Sequence, residues 1–522
     1  MTKYSLFSII IDIFERNVVM TSELLAFILY FVAMLGIGVF FFFKSKSINE
    51  KDYFLGGRSM GPWVTALSAQ ASDMSGWLLM GLPGSILAFG MGKAWIGIGL
   101  AIGTAVNWIF VARRLRRFSV AANDSITIPQ YLSNRFLTTS PALQIICAIV
   151  FLVCFTVYVA SSFVAGAKVF TQVIPQLADK KELALIIFAA ILIVYTFLGG
   201  YKAVCWTDFI QGMLMLIALL TIPIVLYFTQ TLDFSALSKT FMDGTYTFTA
   251  NPFKASWQDI ISGLGWGLGY MGMPHILVRF MSTKNSKVLK KSAVIGIVWV
   301  VLSLGAAIVL AFLGRAFIGQ ELLEGSATYA AGSQELIFIA LAKKLFPGFI
   351  AGILLSAIIA AAMSTADSQL LVASSSFTSD IYKTVIHKKA SDKELLWMGR
   401  VVVLIIAVIA YFIASSKNEG AQSIMTLVEN AWAGFGSSFG PVIILSIFWK
   451  RFTYKGAIAG VITGAVVDVV WLTWLSGPTG VYEIIPGFIA GLLASVIVTL
   501  IDKKPSKEIE ELYDRAMSSE IE

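Results

Sequence analysis

Two stretches of the chain place hydroxyl, carboxylate and aromatic side chains beside glycines, inside apolar segments long enough to cross a bilayer. The first covers residues 68–77 and includes Asp73, and the second covers residues 263–274 and includes Trp266. Irregular backbone at membrane depth survives only where it faces protein or a water-filled cavity. A pair of interrupted helices, one in each half of the chain, indicates the substrate site of a secondary transporter.

Asp73 is the most demanding residue of the first stretch, because a carboxylate at the centre of a span costs about 2.5–3.5 kcal/mol on an insertion scale. It therefore needs a cation, hydrogen-bond donors or water. Its neighbours Ser72, Ser75 and Gly76 carry no positive charge. An aspartate also suits the cap of the second half of a broken helix. The pattern favours a functional role for Asp73 beside a cation, and a capping role is compatible with it.

A third polar patch places oxygens at helical spacing. Positions 361, 364 and 365 share one helix face, so the carbonyl of Ala361 and the hydroxyls of Ser364 and Thr365 lie together. Hard cations prefer oxygen ligands, and the carbonyls of Ala71 and Met74 in a broken helix would complete the shell. The alternative is that both hydroxyls bond back to earlier carbonyls or join helices. The spacing alone leaves the two readings open.

Aromatic residues flank both stretches. Trp77, Trp266 and Tyr270 lie at or beside the interruptions, where flat rings would suit an apolar solute ring with a polar edge. The alternative is interfacial anchoring or core packing, which is the usual role of any one of the thirteen tryptophans. Asp208 lies near one end of its apolar segment, where we expect it to pair with a lysine or arginine.

The elements that must position these residues are membrane helices. Of the 522 residues, 57% are hydrophobic and 13% are charged, against about 25% charged residues in soluble domains. The fold class is therefore an all-α polytopic membrane protein, and the ninth apolar segment is expected to include a short helix before Pro347. Thirteen spans are predicted near 22–43, 62–88, 94–112, 141–170, 183–201, 205–229, 257–281, 289–318, 334–376, 397–415, 423–449, 454–476 and 481–501.

The net charge of +8 reflects topology rather than nucleic-acid binding. The loops after odd-numbered spans, together with the C-terminus, hold more than twice as many lysines and arginines as the remaining segments. Since basic residues mark the cytoplasmic side, the N-terminus is predicted outside and the C-terminus inside. The three cysteines fall within spans, so neither a disulfide framework nor a metal cluster is indicated. Motifs for ATP binding, voltage sensing or serine catalysis are absent from the sequence.

The two interrupted helices also predict how the chain is divided. Spans 2–6 and spans 7–11 each begin with a broken helix, and five is an odd number, so the second set must enter the membrane with opposite topology. The predicted parts are an N-terminal extension (1–21), a peripheral first helix and loop (22–60), a first repeat (61–229), a second repeat (230–453), two peripheral spans (454–502) and a cytoplasmic tail (503–522). Met20 is an alternative start of translation.

Long motifs make the chain resemble the sodium:solute symporter family from about Met20 to Lys504. The run Ser-Asp-Met-Ser-Gly-Trp at 72–77 looks like the branch of the family that carries proline rather than sugars. The matching stretches are 55–59, 66–84, 196–200, 206–208, 265–270, 274–277, 363–365, 369–372, 431–436 and 482–488. The chain departs from better-known members at Gln70 and Met273, and at Asp367 and Asp468, which replace neutral residues.

The resemblance implies a LeuT-like fold with a 5+5 inverted repeat and thirteen transmembrane helices. It implies Na⁺ bound between spans 2 and 9, close to Asp73, and it matches Asp208 to a family acid implicated in sodium coupling. The implied Na⁺ ligands are Ala71, Met74, Ala361, Ser364 and Thr365. The implied L-proline site comprises Ser75, Gly76, Trp77, Tyr158, Trp266, Tyr270 and Pro274.

The expected function is Na⁺-coupled uptake of L-proline across the plasma membrane by alternating access, with Na⁺ as the coupling ion. The expected partners are L-proline, Na⁺ and the lipid bilayer, with no nucleic acid, no obligate protein partner and no enzymatic activity. One alternative is Na⁺ symport of another small solute, such as another amino acid, a carboxylate or a sugar. A solute sensor that does not transport, or a channel, is a more distant alternative.

Overall fold

The computed structural model describes residues 21–44, 50–198 and 200–518. The predicted extension before Met20 lies outside these residues. Within them, ten continuous helices are long and apolar enough to cross a membrane: Ser22–Phe40, Met91–Ala121, Ala142–Val173, Tyr201–Thr229, Ser286–Leu323, Gly348–Ile386, Asp392–Ser415, Ile424–Phe448, Tyr454–Thr479 and Ile484–Ile501. The helix Lys181–Leu198 and the interrupted segments 62–89 and 257–281 bring the number to the thirteen predicted, and we number them spans 1–13 in chain order.

The shorter elements lie between the spans. Two antiparallel strands, β1 (Thr240–Phe241) and β2 (Tyr246–Thr247), form a hairpin between spans 6 and 7. Short helices cover Glu50–Leu55, Ile128–Arg135, Ile337–Leu345, Glu419–Gln422 and Lys507–Met517. The helix Ile337–Leu345, which ends before Pro347, confirms the predicted short helix ahead of span 9.

Local sequence explains where several spans begin. Pro62 opens span 2 and Pro274 opens the second half of span 7, at first-turn positions where proline's missing N–H removes no helical bond. Side-chain oxygens of Ser256, Asn285 and Ser391 accept the free backbone N–H of the first turns of spans 7, 8 and 10. π-Helical segments lie within spans 2, 3 and 12 at Trp77–Gly81, Asn107–Val111 and Trp471–Leu475, and a longer one, Ser376–Ile386, ends span 9.

Spans 9 and 11 lie at the centre of the bundle. In their most apolar windows 83% of the residues are buried, against 22% in spans 1 and 12. Span 9 packs against spans 1, 4 and 6, and span 11 packs against spans 4, 12 and 13. Polar residues of these central helices therefore face protein rather than lipid, as functional residues in a membrane must.

Candidate functional site

Span 2 is broken immediately after Asp73. The helix Pro62–Asp73 ends there, and Met74 has a non-helical conformation (φ −81°, ψ 79°). The freed carbonyl of Asp73 accepts hydrogen bonds from Trp77 Nε1 and from the Tyr158 hydroxyl, both at 3.2 Å. Two predicted substrate-site residues thus satisfy the backbone that the break exposes, which is the condition for irregular structure at membrane depth.

The carboxylate of Asp73 joins the two broken helices. Its side chain is fully buried, and Oδ2 accepts a 2.6 Å hydrogen bond from the hydroxyl of Tyr270 in span 7. Oδ1 has no hydrogen-bond partner in the described part of the chain. One oxygen of a buried carboxylate is therefore available to a cation or a donor group.

Span 7 is interrupted over a longer stretch. An α-helix covers Trp257–Gly265, a 3₁₀ segment covers Trp266–Met271, and a second α-helix covers Pro274–Met281. Glycine is required at position 269, where an added Cβ would lie 2.0 Å from Nε1 of Trp432. Close packing against span 11 therefore explains Gly269, whereas Gly267 packs against the backbone of span 3, where an added Cβ would lie 2.4 Å from the carbonyl of Gly99.

Trp266 lies at the centre of an aromatic cluster. Its ring centroid is 6.4 Å from that of Trp77, 6.1 Å from that of Trp432 and 5.2 Å from that of Tyr482. Nε1 of Trp432 also donates a 2.8 Å hydrogen bond to the carbonyl of Trp266. Tyr270 packs edge-on against Trp432, with 5.1 Å between centroids. The two breaks and span 11 thus share one apolar wall of closely packed rings.

The remaining predicted substrate residues lie in the same region. Ser75 is fully buried within the break of span 2, and Pro274 is buried at the start of the second half of span 7. Span 4 packs closely on Gly76, because a Cβ there would lie 2.6 Å from Cβ of Ala165. Their role in binding a solute stays a prediction.

The oxygens predicted to bind Na⁺ meet between spans 2 and 9. The Ser364 hydroxyl donates to the carbonyls of Ala71 (2.8 Å) and Ala361 (3.3 Å). The Thr365 hydroxyl donates to the same Ala71 carbonyl at 3.3 Å. Met74, the fifth predicted ligand, is buried at the end of the broken helix.

Carbonyl and hydroxyl oxygens form the donor set that a hard monovalent cation prefers. Among the described residues no group of three or more His, Cys, Asp or Glu side chains could hold a metal ion. The donors at this junction therefore fit Na⁺ and not a soft transition metal.

Asp208 forms a buried ion pair with Arg279, which confirms that this acid has a basic partner. Nη2 of Arg279 lies 3.2 Å from Oδ2 of Asp208, and neither side chain is more than 1% exposed. Ser68 of span 2 donates to the same carboxylate oxygen at 2.7 Å. Arg279 also donates to the hydroxyl of Ser368 in span 9 and, at 2.8 Å, to the carbonyl of His275. This network connects spans 2, 6, 7 and 9 next to the predicted Na⁺ ligands.

The two aspartates that depart from the family's pattern have different surroundings. Asp367 is fully buried in span 9, and neither of its oxygens has a hydrogen-bond partner within the described ranges. Asp468 of span 12 accepts a 3.0 Å hydrogen bond from Ser437 of span 11. Asp468 therefore joins span 12 to the central helix.

A polar network around Arg58 joins several elements at the predicted inner side. Arg58 donates to Asp124 at 2.8 Å and to the carbonyls of Ser125 (2.9 Å) and Met281. Burial raises the pKa of Asp124, but the hydrogen bonds and charges of Lys51 and Arg58 outweigh it, so this pKa lies below its ordinary value. The link to Met281, which ends the second half of span 7, ties the broken helix to this face.

A cavity of about 810 Å³ opens at the predicted outer side, and we call it the outer vestibule. Its wall includes Lys168 at the end of span 4, Glu335 ahead of span 9 and Ser423 at the start of span 11. Trp77 and Trp266 are each only 1% exposed and do not line this cavity.

The sequence profile of the sodium:solute symporter family matches residues 53–464. The chain belongs to the sodium:solute symporter family. It is accordingly a multi-pass membrane transporter rather than an enzyme, and Na⁺ is its coupling ion.

Curated relatives match almost the whole chain. The osmoregulated proline transporter OpuE of Bacillus subtilis is 45% identical over 93% of this chain and 96% of its own length. The sodium/proline symporter of Haemophilus influenzae is 44% identical over 95% of this chain and 97% of its own. The sodium/proline symporter of Escherichia coli is 43% identical, with coverage of 95% and 96%.

Solved structures support the LeuT-like fold. A Na⁺-coupled sialic acid symporter in a substrate-bound outward-open state superposes with a TM-score of 0.72 at 20% identity, covering 93% of this chain and 99% of the other. The nucleobase-cation symporter Mhp1 in a closed conformation gives 0.54 at 15% identity, covering 89% and 98%. The family's inverted-repeat architecture, predicted from the two broken helices, is thus confirmed at the level of the fold.

Proposed function

We propose that this symporter carries L-proline together with Na⁺ into the cell across the plasma membrane. The names of the three curated relatives support proline as the solute. The observation that carries the proposal is that spans 7 and 9 both contact span 2 at its break. Tyr270 of span 7 bonds the Asp73 carboxylate, while Ser364 of span 9 bonds the Ala71 carbonyl two residues away. A cation and a small solute bound there would be neighbours.

In the proposed cation site, Na⁺ takes the place of the hydrogen bonds that the hydroxyls of Ser364 and Thr365 now donate. Their oxygens, with the carbonyls of Ala71, Met74 and Ala361, provide five neutral ligands, and Asp73 supplies a negative charge close by. Binding of Na⁺ would tie span 9 to the first half of span 2. Asp208 acts in coupling, because its network reaches the same two spans from the inner side.

In the proposed solute site, the carboxylate of proline meets backbone N–H groups after the break in span 2, because half-helix N-termini favour anions. The pyrrolidine ring packs against aromatic faces, where apolar contact is largest. Contributing side chains and backbone come from Ser75, Gly76, Trp77, Tyr158, Trp266, Tyr270 and Pro274.

The proposed organisation follows from the sequence. The two repeats comprise residues 61–229 and 230–453, the N-terminus lies outside and the C-terminus lies in the cytoplasm. Alternating access then opens the network around Arg58 at the inner side as the outer vestibule closes. One Na⁺ moving through 100 mV supplies about 2.3 kcal/mol. At about 1.4 kcal/mol per tenfold ratio, voltage alone supports roughly fortyfold accumulation.

Uptake of labelled proline by proteoliposomes tests the proposal. An inward Na⁺ gradient should drive accumulation that collapses when choline replaces Na⁺ or when a sodium ionophore is added. Unlabelled proline should abolish the signal, whereas other amino acids, carboxylates and sugars in excess should not. Uptake that ignores Na⁺ would refute the coupling, and stronger competition by another solute would refute proline as the substrate.

A further inference from the structure

The connection between spans 12 and 13 does not remain at the outer surface of the bundle. The chain turns at Gly480, which has a left-handed conformation (φ 64°), and then descends into the protein. Tyr482 is 4% exposed and Glu483 is 2% exposed. Trp471 of span 12 fixes the descending segment by donating a 3.0 Å hydrogen bond to the carbonyl of Val481. The two spans predicted to be peripheral thus send a buried segment towards the candidate site.

Tyr482 makes contacts with two spans of the site through three different groups. Its backbone N–H donates to Oγ of Ser262 in span 7 at 3.0 Å. Its hydroxyl donates to the carbonyl of Glu429 in span 11 at 2.8 Å. Its ring lies 5.2 Å from the ring of Trp266, with 32° between the planes. With its ends held by hydrogen bonds, the tyrosine ring has a defined position beside the indole.

The residues after Tyr482 pack against the same two spans, 7 and 11. A Cβ added to Gly265 would lie 2.8 Å from Ile485, and one added to Gly436 would lie 2.5 Å from Ile484. The start of span 13 is therefore in tight contact with the helix that carries Trp266 and with span 11. Displacement of Trp266 towards spans 12 and 13 has no room as long as this segment is in place.

We propose that Tyr482 is a positioning residue that fixes the plane of the Trp266 ring and so sets the size of the solute ring that the site accepts. This inference rests on the proposed function, in which Trp266 packs against the pyrrolidine ring. A binding group is effective only when packing locks its rotamer. Tyr482 and Trp432 supply that packing, and Tyr482 is the contact that comes from outside the two repeats.

A purely structural role for Tyr482 makes a different prediction. Loss of packing alone would lower the amount of folded protein, and with it the maximal rate, while the KM and the choice between solutes would stay constant. A positioning role changes KM and selectivity, because a mobile indole must be ordered each time a solute binds.

The experiment compares Y482L, Y482F and Y482W with wild type in Na⁺-driven proline uptake. Competition by azetidine-2-carboxylate and pipecolate, whose rings have four and six members, reports selectivity. In Y482L we expect the KM for proline to rise about fivefold with a maximal rate per folded transporter within twofold of wild type, and discrimination against the larger ring to fall. Y482F should recover most of the affinity, and Y482W should shift the preference towards the smaller ring.

Y131L is the matched control, because Tyr131 is equally buried and hydrogen-bonds Ser446 far from the aromatic cluster. It should leave both KM and ring-size selectivity within twofold of wild type. The proposal is overturned if Y482L and Y482W keep the wild-type KM and selectivity, or if Y131L shifts them equally. Wild-type vesicles that fail to take up proline would instead overturn the proposed function. If Y482L does not fold, the KM and the ring-size selectivity of Y482W still test the proposal.

Discussion

The hydroxyl of Tyr270 donates a 2.6 Å hydrogen bond to Oδ2 of Asp73, and this bond joins the two interrupted spans at their breaks. The residues are 197 positions apart in the chain. Because the other carboxylate oxygen has no partner among the described residues, Asp73 can respond to a cation while it holds span 7. Through this hydrogen bond, binding at one break can directly affect the conformation of the other break.

Replacing Asp73 with asparagine should impair Na⁺ activation more than folding. The amide can still accept the hydrogen bond of Tyr270, but it removes the negative charge beside the proposed cation. We expect the Na⁺ concentration for half-maximal transport to rise at least about tenfold, since 1.4 kcal/mol corresponds to that factor. Na⁺ titration of solute uptake measures it. The control D468N changes a buried carboxylate outside the site, and unchanged activation in D73N would reject the role of Asp73.

Removing the hydroxyls of span 9 should weaken Na⁺ binding directly. In the variant S364A/T365V the carbonyl of Ala71 loses both hydroxyl contacts, and the proposed ion loses two of five ligands. We expect at least tenfold weaker Na⁺ activation, measured by Na⁺-dependent uptake at fixed solute. S356A removes a buried serine that bonds only its own helix, at the Gly352 carbonyl, and should match wild type. Equal effects of the two changes would argue against a cation site here.

The close approach between spans 2 and 4 predicts that a substitution in span 4 can compensate for one in span 2. G76A would bring two Cβ atoms to 2.6 Å, and overpacking of this kind typically costs about 1–3 kcal/mol. We expect lower thermal stability and lost uptake in G76A, with substantial recovery in G76A/A165G. Gly305 has open space around it, so G305A should be tolerated. A double variant no better than G76A would show that contact with Ala165 is not the reason for glycine.

The buried pair of Asp208 and Arg279 should behave as one unit. Removing one partner of a buried ion pair leaves an uncompensated charge and costs about 3–5 kcal/mol. D208N and R279Q should each lower the unfolding temperature strongly, and D208N/R279Q should lose much less than the sum of the two. Thermal unfolding in detergent measures this cycle. Additive losses would mean that the two side chains do not stabilise each other.

Much of the site follows from local sequence. Carboxylate, hydroxyl and glycine residues around Asp73 conflict with a lipid-facing helix, so the break in span 2 is visible in the sequence. The i, i+3 and i+4 spacing places Ala361, Ser364 and Thr365 on one face, and the hydrogen bonds to Ala71 bring these oxygens together. Such conflicts between a local pattern and a regular helix are expected at functional sites.

Other contacts carry no local signal. Trp432 lies 166 positions from Trp266, to whose carbonyl it donates a hydrogen bond, and the helical pattern around it does not show that it contacts span 7. The sequence predicted that Asp208 has a basic partner but did not identify Arg279, which comes from another span. Tyr482 was assigned to a peripheral segment, because its descent towards Trp266 depends on how spans 12 and 13 pack.

Equilibrium binding of labelled proline to the purified transporter, with and without Na⁺, tests the central claim most directly. Because the two proposed sites are adjacent and joined through the break in span 2, we expect saturating Na⁺ to tighten proline binding about 5–150-fold. Proline should tighten Na⁺ binding by the same factor. The S364A/T365V variant should lose most of this coupling while still binding proline weakly. Proline affinity that is identical in Na⁺ and in choline would contradict the account.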